Sequence, residues 1–408
     1  MASTVLPLDI IDAIIGELHD DVPALRACST VSYSFLAPSR RRLFSAVALA
    51  DRSGCERLFS ILSRNRCIIP YIRKLVIHGA MWTARTKSFA PLLQLLADAA
   101  TALKEVELSV HLEKYIYWAD VPLNRARAFV NVLRSPSVES ISLFGAFVSS
   151  FPVQIFSVSS GLKHITFFGG GPAFPDELER ADKLFEPKPC FEPRELESLM
   201  IGGAHARRLV AFVTAPHSQV RVTHLHDLSI YDPEHKCIDA VWDVMYASRD
   251  ALSSVVFDHR HDLQNAEYGP IDLHTLSHLQ SLTFKLPFLT VAAGSQLDWL
   301  ANSGLPPSLE TLGINIEHDF FRLFDKGPNS REFSGVANMD ERLASIVSDK
   351  HAHVKCVDIE FRLWVSYRRY GLDDDGEAQI GNVGERIKEL LPRLGATGKL
   401  ALKTTVLR

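Results

Sequence analysis

Histidine pairs separated by one residue are the side chains of this sequence best suited to metal chemistry. They are His224 with His226, His259 with His261, and His351 with His353. Alternate residues of a strand share one side, and imidazole is a common zinc ligand. Only one pair, His259 and His261, has carboxylates on both sides, Asp258 and Asp262. We therefore interpret the histidines as turn or surface residues and expect no metal.

Other candidates for catalysis or cofactor binding lack the spacing that such chemistry needs. A glycine run at residues 169–171 is followed by Pro172 and Pro175, whereas a phosphate cradle needs a helix opening from the run. No Gly-x-Ser-x-Gly nucleophile motif occurs. The acidic run at residues 373–375 lacks the spacing of a calcium-binding EF-hand loop. The sequence thus predicts neither an enzyme nor a bound cofactor.

Composition limits the partners and the compartment. Among 408 residues, 44 Lys and Arg face 48 Asp and Glu, which leaves a net charge of −4 and no support for nucleic-acid binding. The six cysteines form no Cys-x-x-Cys pair, as expected for reduced thiols in the cytoplasm, the nucleus or both. No apolar run approaches 18 residues, so we expect no membrane association.

The elements that organise the chain begin with a short helical segment. At about 100° per residue, Ile10, Ile14, Leu18, Ile11 and Ile15 share an apolar arc about 140° wide. Two further short apolar segments follow, within about 40 residues in all. A unit of roughly that size rarely folds alone, so a partner or the rest of the chain must cover part of this surface.

This segment resembles an F-box, in the style of the large F-box families of mushroom-type fungi. The matching residues, in order, are Leu6, Pro7, Asp9, Ile10, Ile14, Leu18, Asp21, Leu25, Cys28, Val31, Ser32, Phe35, Leu43 and Phe44. The sequence departs from the family in having Phe35 where Trp is common and Pro38 inside the third helical stretch.

The resemblance implies a three-helix F-box that docks on the Skp-type linker protein of a Skp–cullin–F-box ubiquitin ligase. It implies the following linker-binding residues: Leu6, Pro7, Ile10, Ile14, Leu18, Leu25, Val31 and Phe35. Residues 40–42, three arginines, are interpreted as cations at a helix C-terminus, where the helix dipole favours them, with a nuclear-import signal as the alternative.

The remaining residues repeat an apolar pattern with apolar side chains at positions one, four and six. The ten repeats begin at Ile72, Leu103, Val138, Leu162, Leu196, Leu225, Leu252, Leu279, Leu309 and Val354. A weaker instance is Phe44, Val47 and Leu49. Positions four and six have strand spacing, and apolar helical stretches lie between the strands.

Strand and helix alternating at this period are typical of a leucine-rich-repeat solenoid. We therefore predict an α/β fold: a three-helix F-box in residues 1–50 and a degenerate leucine-rich-repeat-like α/β solenoid with a parallel sheet in residues 51–408. A generic α/β protein is the alternative.

The repeat register also predicts a binding face, since solenoid strands line a concave surface. The seventh position of the central repeats carries the aromatics Phe144, Phe168 and Tyr231, with Gly202 between the last two. We predict a target-binding cleft there, with burial beneath the 170–193 loop as the competing interpretation.

Together these features predict a non-catalytic substrate-recognition adaptor. The F-box would hold the linker, and the solenoid would hold a target protein that the sequence does not identify. The alternative is a leucine-rich-repeat-like protein-binding scaffold with no link to ubiquitination.

Overall fold

Parallel strands alternate with helices in the computed structural model of the chain. The structure describes residues 6–18, 21–84, 86–110, 118–145, 151–169, 193–203, 206–231, 238–258, 273–286, 300, 305–319, 331–348, 353–364, 387–389 and 391–407. The chain divides into two compact units. The first comprises residues 1–194 and 217–220, and the second comprises residues 195–216 and 221–408.

The first unit begins with three helices and continues as strands separated by helices. Its elements are α1 (Leu8–Glu17), α2 (Val22–Val31), α3 (Tyr33–Leu43), β1 (Ala46–Leu49), α4 (Arg52–Arg64), β2 (Lys74–His78), α5 (Ala80–Thr83), α6 (Phe89–Ala99), β3 (Glu105–Val110), α7 (Leu123–Leu133), β4 (Ser140–Gly145) and β5 (His164–Phe168). Short 3₁₀ helices cover Arg66–Tyr71, Trp118–Asp120 and Val153–Ser157. Strands β1 to β5 pair in chain order, all parallel.

The second unit repeats this alternation. Its elements are β7 (Ser198–Gly202), α8 (Ala206–Thr214), β9 (Asp227–Tyr231), α9 (Ile238–Ala247), β10 (Ser254–Asp258), a 3₁₀ turn (Leu273–Thr275), β11 (Ser281–Leu286), β12 (Thr311–Asp319), α10 (Arg331–Ser348), β13 (Cys356–Trp364), α11 (Pro392–Ala396) and β14 (Leu400–Leu407). Its strands also pair in chain order and in parallel. Two further strands, β6 (Arg194–Glu195) and β8 (Val220–Arg221), are only two residues long.

The predicted α/β class with a parallel sheet is confirmed, and every repeat contributes one strand to it. Position four of each repeat lies opposite position four of its neighbour, as Leu75 does opposite Val106 and Leu282 opposite Leu312. Every first-position side chain is buried, and so are those at positions four and six, except for half-buried Phe257. Burial of these three rows excludes water from one side of each sheet.

A backbone hydrogen-bond pattern that the sequence did not reveal sets this register. At the entry to most strands, one carbonyl oxygen accepts two N–H groups from the next repeat. The carbonyl of Arg73 accepts from Lys104 and Glu105 at 2.8 and 3.0 Å, and the carbonyl of Gln280 accepts from Glu310 and Thr311 at 2.9 Å each. The same arrangement joins β1 to β2 through the carbonyl of Ser45. Residues 46–49, the end of the predicted first domain, are therefore the first strand of the repeating sheet.

Gly161 tests how closely successive repeats approach one another. A Cβ at this position would clash with the carbonyl oxygen of Pro136 in the preceding repeat. We expect Gly161→Ala to lower the free energy of unfolding by on the order of 1–3 kcal/mol, because backbone must move to admit the methyl group. Denaturant unfolding followed by circular dichroism measures this change.

Gly54 is the matched control within the same unit. It lies in helix α4, where a Cβ would make only ordinary contact, 3.5 Å from Asp51 Oδ1. Gly54→Ala should stabilise the protein by about 0.5–1 kcal/mol, the usual helix preference for alanine. Equal effects of the two substitutions would contradict the close approach at Gly161.

Candidate partner-binding surface

The three N-terminal helices enclose a small apolar cluster. Ile11 and Ile15 of α1 and Leu25 of α2 are each about 1% exposed. Four partly buried side chains pack around them: Leu18, Cys28, Phe35 and Leu43. This cluster holds α1 and α2 against α3.

Local sequence explains where α2 begins. The Asp21 carboxylate accepts the backbone N–H of Ala24 at 2.9 Å and so caps α2. Pro23 occupies the first turn of α2, where no N–H is needed. Helix α3 continues through Pro38, which is buried.

The outer face of α1 is apolar and uncovered. Leu6 lies two residues before α1 begins, and Ile10 and Ile14, four residues apart on the helix, share one of its sides. We call these three residues the apolar stripe. They are 46%, 44% and 42% exposed. The apolar arc of the sequence therefore divides: Ile11 and Ile15 face the cluster, whereas the stripe faces solvent.

Exposed apolar side chains concentrate in this region. Of the nine large apolar residues that are exposed in the described part of the chain, seven lie between residues 6 and 33. They are Leu6, Leu8, Ile10, Ile14, Val22, Val31 and Tyr33. Single exposed apolar residues are ordinary on a protein surface, but a concentration of them is typical of an interaction site.

The predicted linker-binding residues separate into two groups. Five are exposed: Leu6, Pro7, Ile10, Ile14 and Val31. The other three belong to the internal cluster, since Leu25 is buried and Leu18 and Phe35 are partly buried. Leu8, Val22 and Tyr33 are also exposed, although they are not among the residues that match the F-box.

The energy available from this surface suits a partner that covers more than one helix. Full burial of a large apolar side chain contributes about 1.5–3 kcal/mol, so burial of the exposed fractions of Leu6, Ile10 and Ile14 would contribute about 2–4 kcal/mol. Micromolar affinity needs about 8 kcal/mol net of the cost of association. A partner must therefore also contact other exposed residues, such as Val31 and Tyr33, which are 70% and 91% exposed.

The aromatic residues predicted for target binding lie at paired positions within each unit. In the first unit, Phe144 pairs with Phe168 across β4 and β5, and both are half-buried. In the second unit, Gly202 pairs with half-buried Tyr231 across β7 and β9, and Gly202 is buried. Residues 170–192, most of the loop predicted to cover them, lie outside the described residues.

Tyr231 has charged neighbours on the next two strands of its unit. Lys285 Nζ donates to the Tyr231 hydroxyl at 3.1 Å and to Asp258 Oδ2 at 3.2 Å, and it lies 4.8 Å from the centre of the Tyr231 ring. The three residues occupy the seventh position of consecutive strands. Burial disfavours the charge of Lys285, but the hydrogen bond to Tyr231 and the attraction of Asp258 outweigh it, so the pKa of Lys285 is raised.

A second charged group continues this row on the last strands of the unit. Glu360 accepts from Arg362 at 3.0 Å and from the Thr405 hydroxyl at 3.1 Å, and Lys403 lies 3.4 Å away. Burial raises the pKa of Glu360, but these partners outweigh that effect and the pKa is lowered. The strand face of the second unit is therefore largely polar, with its charges paired.

The histidine pairs provide no metal site among the described residues. His224 Nδ1 lies 3.5 Å from Glu195 Oε2, whereas His226 Nδ1 lies 3.1 Å from the carbonyl oxygen of Ala251. Within the part of the chain that the structure covers, no three His, Cys, Asp or Glu side chains converge as metal ligands. His259, His261 and His351 lie outside that part.

No family model matches the sequence, and no curated protein matches it significantly. Among the described helices, none has the length and apolar character needed to cross a membrane.

Substitution of two neighbouring isoleucines of α1 tests whether Ile15 faces the internal cluster while Ile14 faces solvent. Ile15→Asp should cost several kcal/mol of stability, because it buries a carboxylate in the internal cluster. Ile14→Asp should change stability by less than about 0.5 kcal/mol, since the new carboxylate remains in water. Thermal unfolding of both variants measures the difference, and equal losses would contradict the outward orientation of Ile14.

Substitution of Lys285 tests whether the charged row formed by Tyr231, Asp258 and Lys285 stabilises the second unit. Lys285→Met should lower stability by about 1–3 kcal/mol, because Asp258 is only 8% exposed and would lose its cation. Tyr231→Phe should cost about 0.5–1.5 kcal/mol, the value of one hydrogen bond. Lys74→Met is the control, since the partly exposed ion pairs of Lys74 with Glu105 and Glu107 contribute at most about 1 kcal/mol. Chemical denaturation measures all three, and a loss at Lys285 no larger than that at Lys74 would count against the row as a stabilising group.

Proposed function

We propose that the chain is a non-catalytic adaptor that docks on a Skp-type linker protein through its N-terminal helices and holds a target protein on its repeats. The observation that carries the proposal is the solvent-facing apolar stripe of α1, Leu6, Ile10 and Ile14, in the segment that resembles an F-box. Covering an exposed apolar face of this kind with a partner is favourable, because it removes apolar surface from water.

On this proposal the helices form an F-box and the repeats form a leucine-rich-repeat-like solenoid. Support for the solenoid comes from the strand-entry hydrogen bonds, which recur in both units at the same position of the repeat. Repeats that dock in the same way present equivalent side chains in rows, as solenoid binding faces do. The half-buried pair Phe144 and Phe168 is the apolar part of such a face.

The mechanism is proximity. The adaptor would hold a target beside the ubiquitin-carrying enzyme of a cullin ligase, in the cytoplasm or nucleus, and so raise the effective concentration of the target lysines. No side chain of this chain takes part in bond formation. Linker and target would bind at separate surfaces.

A pull-down with a purified Skp-type linker protein tests the proposal. We expect the intact chain to retain the linker and the double variant Ile10→Asp/Ile14→Asp to lose it, because two carboxylates would be desolvated at the interface. Leu123→Asp is the matched control: Leu123 is a large apolar residue, 52% exposed, on helix α7. This variant should retain the linker fully.

Two outcomes would contradict the adaptor function. The first is failure of the intact chain to bind the linker, and the second is equal loss of binding in the double variant and the Leu123 control. The first would favour the alternative, a protein-binding scaffold without a ligase. The paired charges of the second unit suit that alternative as well, since they form a polar recognition surface that needs no F-box.

A further inference from the structure

We propose that a cleft beside helix α1 binds a small phosphate-bearing anion. The cleft lies within the first unit and has a volume of about 260 Å³. Three arginines line it, Arg41 and Arg42 from the end of α3 and Arg73 from the approach to β2, and among the described lining residues Asp12 of α1 is the only acid. Three guanidiniums against one carboxylate leave a surplus of two positive charges.

The backbone holds two of these arginines at fixed positions through a shared neighbour, Ser45. The carbonyl of Arg42 accepts the backbone N–H of Ser45 at 3.1 Å and its hydroxyl at 2.7 Å. The carbonyl of Ser45 in turn accepts the N–H of Arg73 at 2.8 Å. Because Ser45 fixes both chain segments, the two guanidiniums start from anchored backbone, which reduces the entropy lost on binding.

The cations of the cleft remain available for a ligand. Arg42 and Arg73 make no side-chain hydrogen bond or ion pair with the residues that the structure describes. Arg41 lies 3.8 Å from Asp12, and both side chains are about half exposed, so this pair is weak. The carbonyl end of α3 contributes about half a negative charge. This is smaller than the surplus of two positive charges in the cleft, so the cleft remains cationic.

The shape and floor of the cleft indicate the class of ligand. Ile15 and Pro38, both buried, form an apolar floor, and low polarity strengthens charge interactions above it. Guanidinium forks match the oxygens of phosphate in bidentate geometry. The volume lies just below the range of about 300–1,000 Å³ that holds drug-sized ligands. The cleft therefore suits a compact group with one or two phosphates.

This site is independent of the proposed linker surface. At about 100° per residue, Asp12 lies about 160–200° around α1 from Ile10 and Ile14. The two surfaces thus occupy opposite sides of the same helix. Loss of one binding activity need not affect the other, so failure of the adaptor proposal would leave the anion site standing.

Isothermal titration calorimetry of the full chain with inorganic phosphate and with pyrophosphate tests the proposal. We expect binding of at least one probe, and at least about tenfold weaker binding by Arg42→Gln/Arg73→Gln, because two charge-assisted contacts are lost. Asp12→Asn should strengthen binding severalfold, because it removes the competing carboxylate. Arg26→Gln, at an exposed position on α2 outside the cleft, is the control and should bind like the intact chain.

The opposite signs expected for the arginine and aspartate variants distinguish a binding site from a general effect on folding. Circular dichroism establishes that each variant is folded before titration. Failure of the intact chain to bind either probe at millimolar concentration would overturn the proposal. So would unchanged binding by the double arginine variant, or weaker binding by Asp12→Asn.

Discussion

One backbone interaction governs both units: a strand-entry carbonyl that accepts two N–H groups from the following repeat. This interaction fixes the parallel register, and the register decides which side chains are buried. A shift of one residue would expose positions four and six and bury their polar neighbours. The same register aligns the seventh positions of neighbouring strands, so any recognition surface on the strands depends on these hydrogen bonds.

The N-terminal helices obey a different constraint, because they have more apolar surface than they can cover themselves. Their cluster uses Ile11, Ile15 and Leu25, which leaves the opposite half of the α1 arc in water. Their connection to the sheet is local: Ser45 ends the turn after α3 and starts the first strand-entry interaction. Rigid attachment on one side and an uncovered apolar face on the other are what a docking element requires.

The sequence predicted the rows of the sheet well, because burial of positions one, four and six follows directly from strand periodicity. It predicted the apolar arc of α1 but not which half faces inward, since that depends on where α2 and α3 pack. The repeat register places Tyr231, Asp258 and Lys285 at the seventh position of successive repeats, and the strands pair in that register. It does not show that Lys285 reaches across the strand of Asp258 to the Tyr231 hydroxyl, because that contact depends on side-chain conformation. The basic run at residues 40–42 is visible in the sequence, but Arg73, which completes the cleft, is too distant in sequence to be grouped with it.

Helix α1 carries two surfaces, one apolar and one charged. The residues that lie between them determine how strongly binding at one surface affects binding at the other. The apolar stripe contacts solvent, whereas Asp12 on the far side contacts Arg41 across 3.8 Å. An anion in the cleft would draw Arg41 away from Asp12 and so disturb an interaction worth at most about 1 kcal/mol. By reciprocity, a partner on the stripe could change anion affinity by no more than that amount through this route. Because Ile15 lies both in the cleft floor and in the internal cluster, stronger coupling would require the cluster itself to repack. Close packing of the cluster opposes such a change, so the two sides of α1 are suited to act as separate binding surfaces on one rigid element.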